Sequence, residues 1–348
     1  SWPICPTPIS TRGSPLTSYQ PVHESSEFES FDELYEVSEQ EGLDVQTLTP
    51  RQMAWHRFRR HKAAMISTVI FGVLLVMVIF APVFSRYGVN EAVFPISEGP
   101  NQFLEPQSVA WFGTDDIGRD IYSRLLYGIR TSIFIGVATG VIAVIIGTFV
   151  GSLAGLRGGR LDDIMMRVTD VFLAFPFLVA VIVVREFLGG VTFLEPVIGD
   201  KSSIRFVIVL LALFAWMGVA RLVRSQVLSL KEREFIEASR AVGASQRRII
   251  VSHLIPNSIG PILVALTLVI IAAIVAESTL AFFGFGPQPG SGSTSLGNLV
   301  LLSRGGATQG NWWLVVFPCG ALVLLAIVIN FIGDGLRDAF DPKMDSGR

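Results

Sequence analysis

Six apolar stretches, at roughly 63–85, 131–156, 162–185, 204–224, 257–283 and 311–333, dominate this 348-residue chain. Each is near or above the ~20 residues that an α-helix needs to cross hydrocarbon. Charged residues make up only 16% of the sequence, against roughly 25% in an average soluble domain. Lipid is therefore the main solvent, and the expected architecture is all-α integral membrane with six transmembrane helices.

The third stretch is the least pure, because IMMRVTDVFLAFPFLVAVIVV contains Arg167 and Asp170. Thirteen of its 21 residues are Ile, Leu, Val or Phe. Each contributes about −0.3 to −0.6 kcal/mol at a helix centre, against about +3 for a central Asp, so insertion wins. Arg167 lies three residues before Asp170, close enough on a helix to pair with it. The second stretch carries Gly136, Gly140, Gly147, Gly151 and Gly155, a small-residue spacing that permits close helix contact.

Orientation follows from the connections. With the N-terminus inside, inside segments carry 17 Lys and Arg and outside segments six, which predicts both termini in the cytoplasm. Arg57, Arg59, Arg60 and Lys62 stand immediately before the first apolar run. Thr49 as N-cap and Pro50 at the first helical position predict a basic helix through TPRQMAWHRFRRHKAAM. Residues 1–48 carry nine carboxylates between Glu24 and Asp44 with no Lys or Arg in that interval, a composition that predicts disorder. The opening SWPICPTP has neither the charged n-region nor the apolar h-region of a secretory leader.

The expected layout is an acidic tail over 1–48, a basic helix over 49–62 and a first span over 63–85. A connection over 86–130, a core of the remaining spans over 131–334 with a cytoplasmic loop at 225–256, and a tail over 335–348 complete it.

Several functions lack the residues they need. The four histidines all lie outside the apolar runs, so an intramembrane metal or histidine-based catalytic site has little to be built from. No GxxxxGK[ST] loop occurs, so any ATP that drives the chain binds another subunit. Neither GxSxG nor HExxH is present, which removes the usual intramembrane hydrolases. Cys5 and Cys319 have no pairable spacing. The net charge of −2 points away from nucleic acid.

The cytoplasmic interruption EFIEASRAVGASQRRIIVSHLIP, residues 234–256, is two-faced. On a helical wheel Phe235, Ala238, Ser239 and Val242 share one side, and Arg233, Glu237 and Arg240 share the other. Gly243 is placed to end this helix as a left-handed cap, and Pro256 to stop a second short helix. A helix lying on the membrane surface fits such a pattern. The small residues Ala238, Ser239 and Ala241 suit instead a knob inserted into a protein cleft.

EASRAVG followed by Pro256 resembles the "EAA" loop of ATP-binding cassette importer permeases. Glu237, Ala238 and Gly243 match directly, Ser239 replaces the second Ala, and His253-Leu254-Ile255-Pro256 stands at the ending. FGTDDIGRDIYSRLLYGIRTS, AESTLAFFGFG and NFIGDGLRDAFDP are similar to three further segments of the peptide-importer branch, in the right order. The best placement is its "C-type" permease.

The resemblance implies the type I importer fold in a bacterial or archaeal plasma membrane, and a non-catalytic subunit that pairs with a second, related permease. It further implies two cytoplasmic ATPase subunits that bind ATP and Mg, a binding protein outside, and no cofactor bound by this chain. Residues 234–256 would then be the coupling helix, with Glu237, Ala238, Ser239, Gly243 and Pro256 at the ATPase contact and corner. Peptide is the implied cargo; nickel complexes or other small solutes are the variant within the family.

Three further groups of charge need a role. Glu277 in the fifth span is either a pathway or gate residue, or a carboxylate near the outer surface bonded to Ser278, Thr279 or a neighbouring helix. Asp170 is either a pathway residue or the partner of Arg167. Asp115, Arg119 and Asp120 are expected in an outside element that contacts the binding protein or partner permease. A plain helix start, capped by Thr114, is the other possibility. A stand-alone channel or ion-coupled carrier would use Asp170 and Glu277 for coupling, but it leaves 234–256 without a role.

Overall fold

The computed structural model describes residues 50–94, 102–287 and 294–340. The acidic tail, Thr49, Cys5 and residues 341–348 lie outside them. The regular elements among the described residues are helices, apart from two isolated bridges, Ala92 with Arg119 and Thr114 with Asp120. In hydrocarbon a helix satisfies its own backbone hydrogen bonds, which is why apolar runs of this length take no other form.

Helix α1 (Pro50–Arg60) and helix α2 (Lys62–Ile79) are separate. The single basic helix expected through Met65 breaks at His61, whose Nδ1 accepts from the Ala64 backbone N–H at 3.0 Å and so caps α2. Helix α3 (Ile121–Arg157) begins ten residues before the apolar stretch that predicted it. At 1.5 Å per residue it is about 55 Å long and overruns the ~30 Å hydrocarbon core.

The third apolar stretch is two helices rather than one continuous span. Helices α4 (Gly159–Ala174) and α5 (Phe177–Gly189) meet at 99°. Phe175 precedes Pro176 and adopts an extended conformation with ψ 140°, as the proline ring demands of the residue before it. The expected Arg167–Asp170 pair does not form: Asp170 pairs with Arg221, and Asp162 accepts from Arg224 Nη2 at 2.6 Å. Both arginines lie on helix α6 (Ile204–Leu230). The two carboxylates thus tie α4 to its neighbour rather than to itself.

The short helices α7 (Glu234–Ala241) and α8 (Gln246–Ile249) lead through a π-helical turn (Ile250–Leu254) to helix α9 (Ile259–Phe282). Helix α10 (Leu296–Thr308), unforeseen from the sequence, precedes helix α11 (Trp313–Phe340). Ser295 caps α10, accepting from Asn298 N at 3.2 Å. Leu296 and Leu299 bury with Leu125 and Ile129 of α3 and Leu325 of α11.

The glycines of α3 serve two different neighbours. A Cβ on Gly147 would stand 2.6 Å from Val219 Cβ, and one on Gly151 2.4 Å from the Ala220 carbonyl, both on α6. One on Gly136 would stand 2.7 Å from Ile274 Cγ1 of α9. The close approach of α6 and α9 leaves no room for a side chain at these positions, so α3 is clasped on both sides. Ile135, Phe206, Leu210, Leu211, Met217 and Leu280 form the core between these three helices.

Candidate functional site

The loop between α6 and α9 is a jointed, anchored corner. Glu234 and Glu237 occupy the first turn of α7 and Arg240 its last, each favourable to the helix dipole. Gly243 has φ +83°; its N–H donates to the Arg240 carbonyl at 2.9 Å, and the Ala244 N–H to the Ser239 carbonyl at 3.0 Å. These two bonds make a Schellman ending, which needs a left-handed residue at Gly243. Ser245 then caps α8, accepting from Arg248 N at 3.3 Å.

Three fully buried side chains bolt this corner to the membrane helices. Ile236, Ile249 and Leu254 pack with Leu156 of α3, with Val219, Val223 and Val227 of α6, and with Ile262 of α9. The side the wheel grouped as apolar faces outward: Phe235 and Val242 are exposed, Val242 at 88%. Glu237, Ala238, Arg240 and Ala241 are exposed beside it. Ser239 turns inward, its Oγ donating to the Phe235 carbonyl at 2.8 Å and lying 3.4 Å from His253 Nε2. It braces the two arms across the corner and stays half-exposed. Pro256 does not stop the second helix either, since the short helix Ile255–Asn257 runs through it. The π-turn before it bonds Ile255 N to the Ile250 carbonyl, and this wider register gives a ring without an N–H room to follow.

Glu277 is fully buried, away from any open face. Its Oε2 accepts from Ser132 Oγ of α3 at 3.2 Å, and the same hydroxyl accepts from the Leu296 backbone N–H at 3.1 Å. The carboxylate therefore joins α9, α3 and the start of α10. The open face of α9 is a different stripe, Leu268, Ala272, Val275 and Thr279, which lines a cavity of about 600 Å³ with Phe177 and Asn330. Neither Glu277 nor Asp170 lines it. The stripe repeats at helical spacing, so it was present in the sequence, but apolar residues surround it on every side of α9 and hid it.

At the other end of α3 the GTDDIGRD segment is a closed knot. Asp115 is fully buried; its Oδ1 accepts from the backbone N–H of Ile117 at 3.1 Å and of Arg119 at 2.9 Å, and its Oδ2 from Arg119 Nε at 2.7 Å and from Arg124. Asp120 is the N-cap of α3, accepting from Ser123 N at 2.8 Å and Ser123 Oγ at 2.6 Å. Thr114 is not that cap: its Oγ1 accepts from Leu104 N at 2.8 Å, and its carbonyl from Trp313 Nε1 at 3.2 Å. Asp115 and Asp120 are thus spent on the fold and are not available as contact residues. Trp111, Asp116 and Ile117 are the exposed side chains here.

Comparison with known proteins decides what this arrangement is. Residues 147–346 match the family described as "Binding-protein-dependent transport system inner membrane component", more than half of the chain. The chain belongs to this family. Residues 49–105 match the N-terminal transmembrane domain of oligopeptide transport permease C. The oligopeptide transport system permease protein OppC of Bacillus subtilis (strain 168) is 38% identical over 305 residues, 87% of this chain and 93% of that one. OppC of Escherichia coli (strain K12) is 37% identical over 87% of this chain and 94% of its own. Among solved structures, the inward-facing MetNI methionine ABC transporter matches with a TM-score of 0.50 at 22% identity, covering 62% of this chain and 96% of that one. That likeness places the fold among type I importer permeases.

In this permease the described residues hold no cluster of three His, Cys, Asp or Glu poised for a metal. Exposed polar groups stand, among other places, at the α7–Gly243–α8 corner and at Asp116, at opposite ends of α3.

Proposed function

We propose that this permease forms half of the membrane pathway of an ATP-driven importer and moves peptides into the cytoplasm. A second, related permease would form the other half. Two ATPase subunits would bind ATP and Mg, and a binding protein outside would deliver cargo. Both termini would face the cytoplasm. The observation that carries this reading is the Gly243 corner, rigid within and exposed at its tip.

A knob held by Ile236, Ile249 and Leu254 moves with α3, α6 and α9. When two ATPases close on ATP, the grooves that grip such knobs shift, and a stiff knob turns the shift into helix tilt. Glu237, Ala238 and Val242 would meet the ATPase surface, while Ser239 and His253 keep the arms at their angle.

Peptide as cargo rests on the relatives, which are named for oligopeptide and dipeptide transport. The cavity face agrees with a broad cargo class. Leu268, Val275 and Phe177 are apolar, and Thr279 and Asn330 are its few hydrogen-bonding groups, so the wall reads side chains weakly and leaves selection to the binding protein.

Reconstitution with the partner subunits tests the reading. Labelled peptide is expected to enter vesicles only with ATP and the binding protein, and Gly243→Val is expected to cut uptake at least tenfold while ATP hydrolysis continues. Peptide uptake by the isolated chain under an ion gradient would overturn it.

A further inference from the structure

A second cavity, of about 670 Å³, opens where α3, the arm after Gly243 and the start of α9 meet. Its walls are Ile145, Phe149 and Leu153 on α3 and Val251, Ile255 and Ile259 on the opposite side. Phe149 is 69% exposed, so the cleft is open along its length. Its cytoplasmic end by the Lys and Arg distribution carries Arg157 and Arg247.

The dimensions match one leaflet. From Ile145 to Leu153 along α3 is about 12 Å, close to half of the ~30 Å hydrocarbon thickness, and Arg157 stands about 6 Å further. Gln246 Oε1 accepts from Arg157 Nε at 3.3 Å and holds the guanidinium at the mouth of the cleft. No carboxylate lines the cleft, and among the described residues neither Arg157 nor Arg247 makes an ion pair. The occupant that fits has a long apolar body one leaflet deep and an acidic head at the cytoplasmic surface.

We infer that this cleft binds an anionic phospholipid of the cytoplasmic leaflet, acyl chain against Phe149 and Val251 and phosphate against Arg157 and Arg247. The lipid bridges α3 to the arm that carries the corner, so it holds that arm in place. This site does not depend on what the permease carries.

The test uses the assembled transporter with its partner subunits, in nanodiscs of phosphatidylcholine containing phosphatidylglycerol. Native mass spectrometry of the released complex is expected to show phosphatidylglycerol retained over phosphatidylcholine. At about one surface arginine's worth of attraction per side chain, Arg157→Gln lowers that retention about fivefold, and adding Arg247→Gln lowers it about thirtyfold. Arg240→Gln, on the exposed tip of α7 and outside the cleft lining, is the control and leaves retention unchanged. With both arginines intact, a benzophenone side chain at position 149 is expected to crosslink lipid. Crosslinking to the partner permease instead, or equal retention in the double variant and the parent, would overturn the inference.

Discussion

The two ends of α3 carry similar-looking charge and use it in opposite ways. At the Ile121 end, Asp115 takes both Arg119 and Arg124, and Asp120 caps the helix. At the Arg157 end, Glu237 and Arg240 stay exposed while Ile236, Ile249 and Leu254 hold the loop by apolar contact. A charge within a closed hydrogen-bond set is part of the fold. A charge on a surface that hydrophobic anchors already hold is free for a partner.

The largest expected effect is therefore at the closed end. Asp115→Ala leaves Arg124 buried and unpaired, at about 3–5 kcal/mol, and is expected to abolish folded protein in the membrane, read as loss of a monodisperse detergent peak. A well-folded, fully active D115A protein would erase the distinction between the ends. Gly243→Val comes next: a β-branched residue at φ +83° breaks the corner, so uptake should fall while protein yield holds. If yield collapses instead, the corner is a folding element like the knot.

Ile236→Ala should be intermediate, removing an anchor worth about 2–5 kcal/mol of local stability. It is expected to leave the spans intact and to lower the ratio of peptide moved to ATP hydrolysed. Val242→Asp should not change the melting temperature but should weaken copurification with the ATPases. The smallest effect belongs to Asp116→Asn at the knot's exposed tip, within about 0.5 kcal/mol of the parent. A large transport defect there with normal stability would show that the knot also presents a contact.

Much of the site was legible before the structure. The 234–256 loop, its glycine corner and its small residues stand out as polar sequence between apolar runs. Ile236 was not legible, because the wheel over Phe235, Ala238 and Val242 looks equally apolar, and only the position of α3 and α6 decides which side is inner. Glu277 left two readings open, a pathway group or a carboxylate bonded to a neighbouring helix, because a carboxylate in a span is expensive. The bond that decides between them is to Ser132, 145 residues away in sequence. Asp170 had a nearby arginine in Arg167, and the structure gave it Arg221. The bend at Pro176 was readable in principle from Phe-Pro, but apolar content on both sides concealed it.

By itself the sequence determined that this chain spans a membrane as helices, where the loops lie and which loop is a jointed corner. These follow from local composition, because hydrocarbon admits little besides helix and a glycine at positive φ ends one. Tertiary structure alone decided which charges are spent and which remain free, where α10 inserts, which face of α9 is open and where α3 leaves a cleft. Those depend on which helices approach one another. In a span where nearly every residue is apolar, the pattern no longer tells the inside of the protein from the lipid.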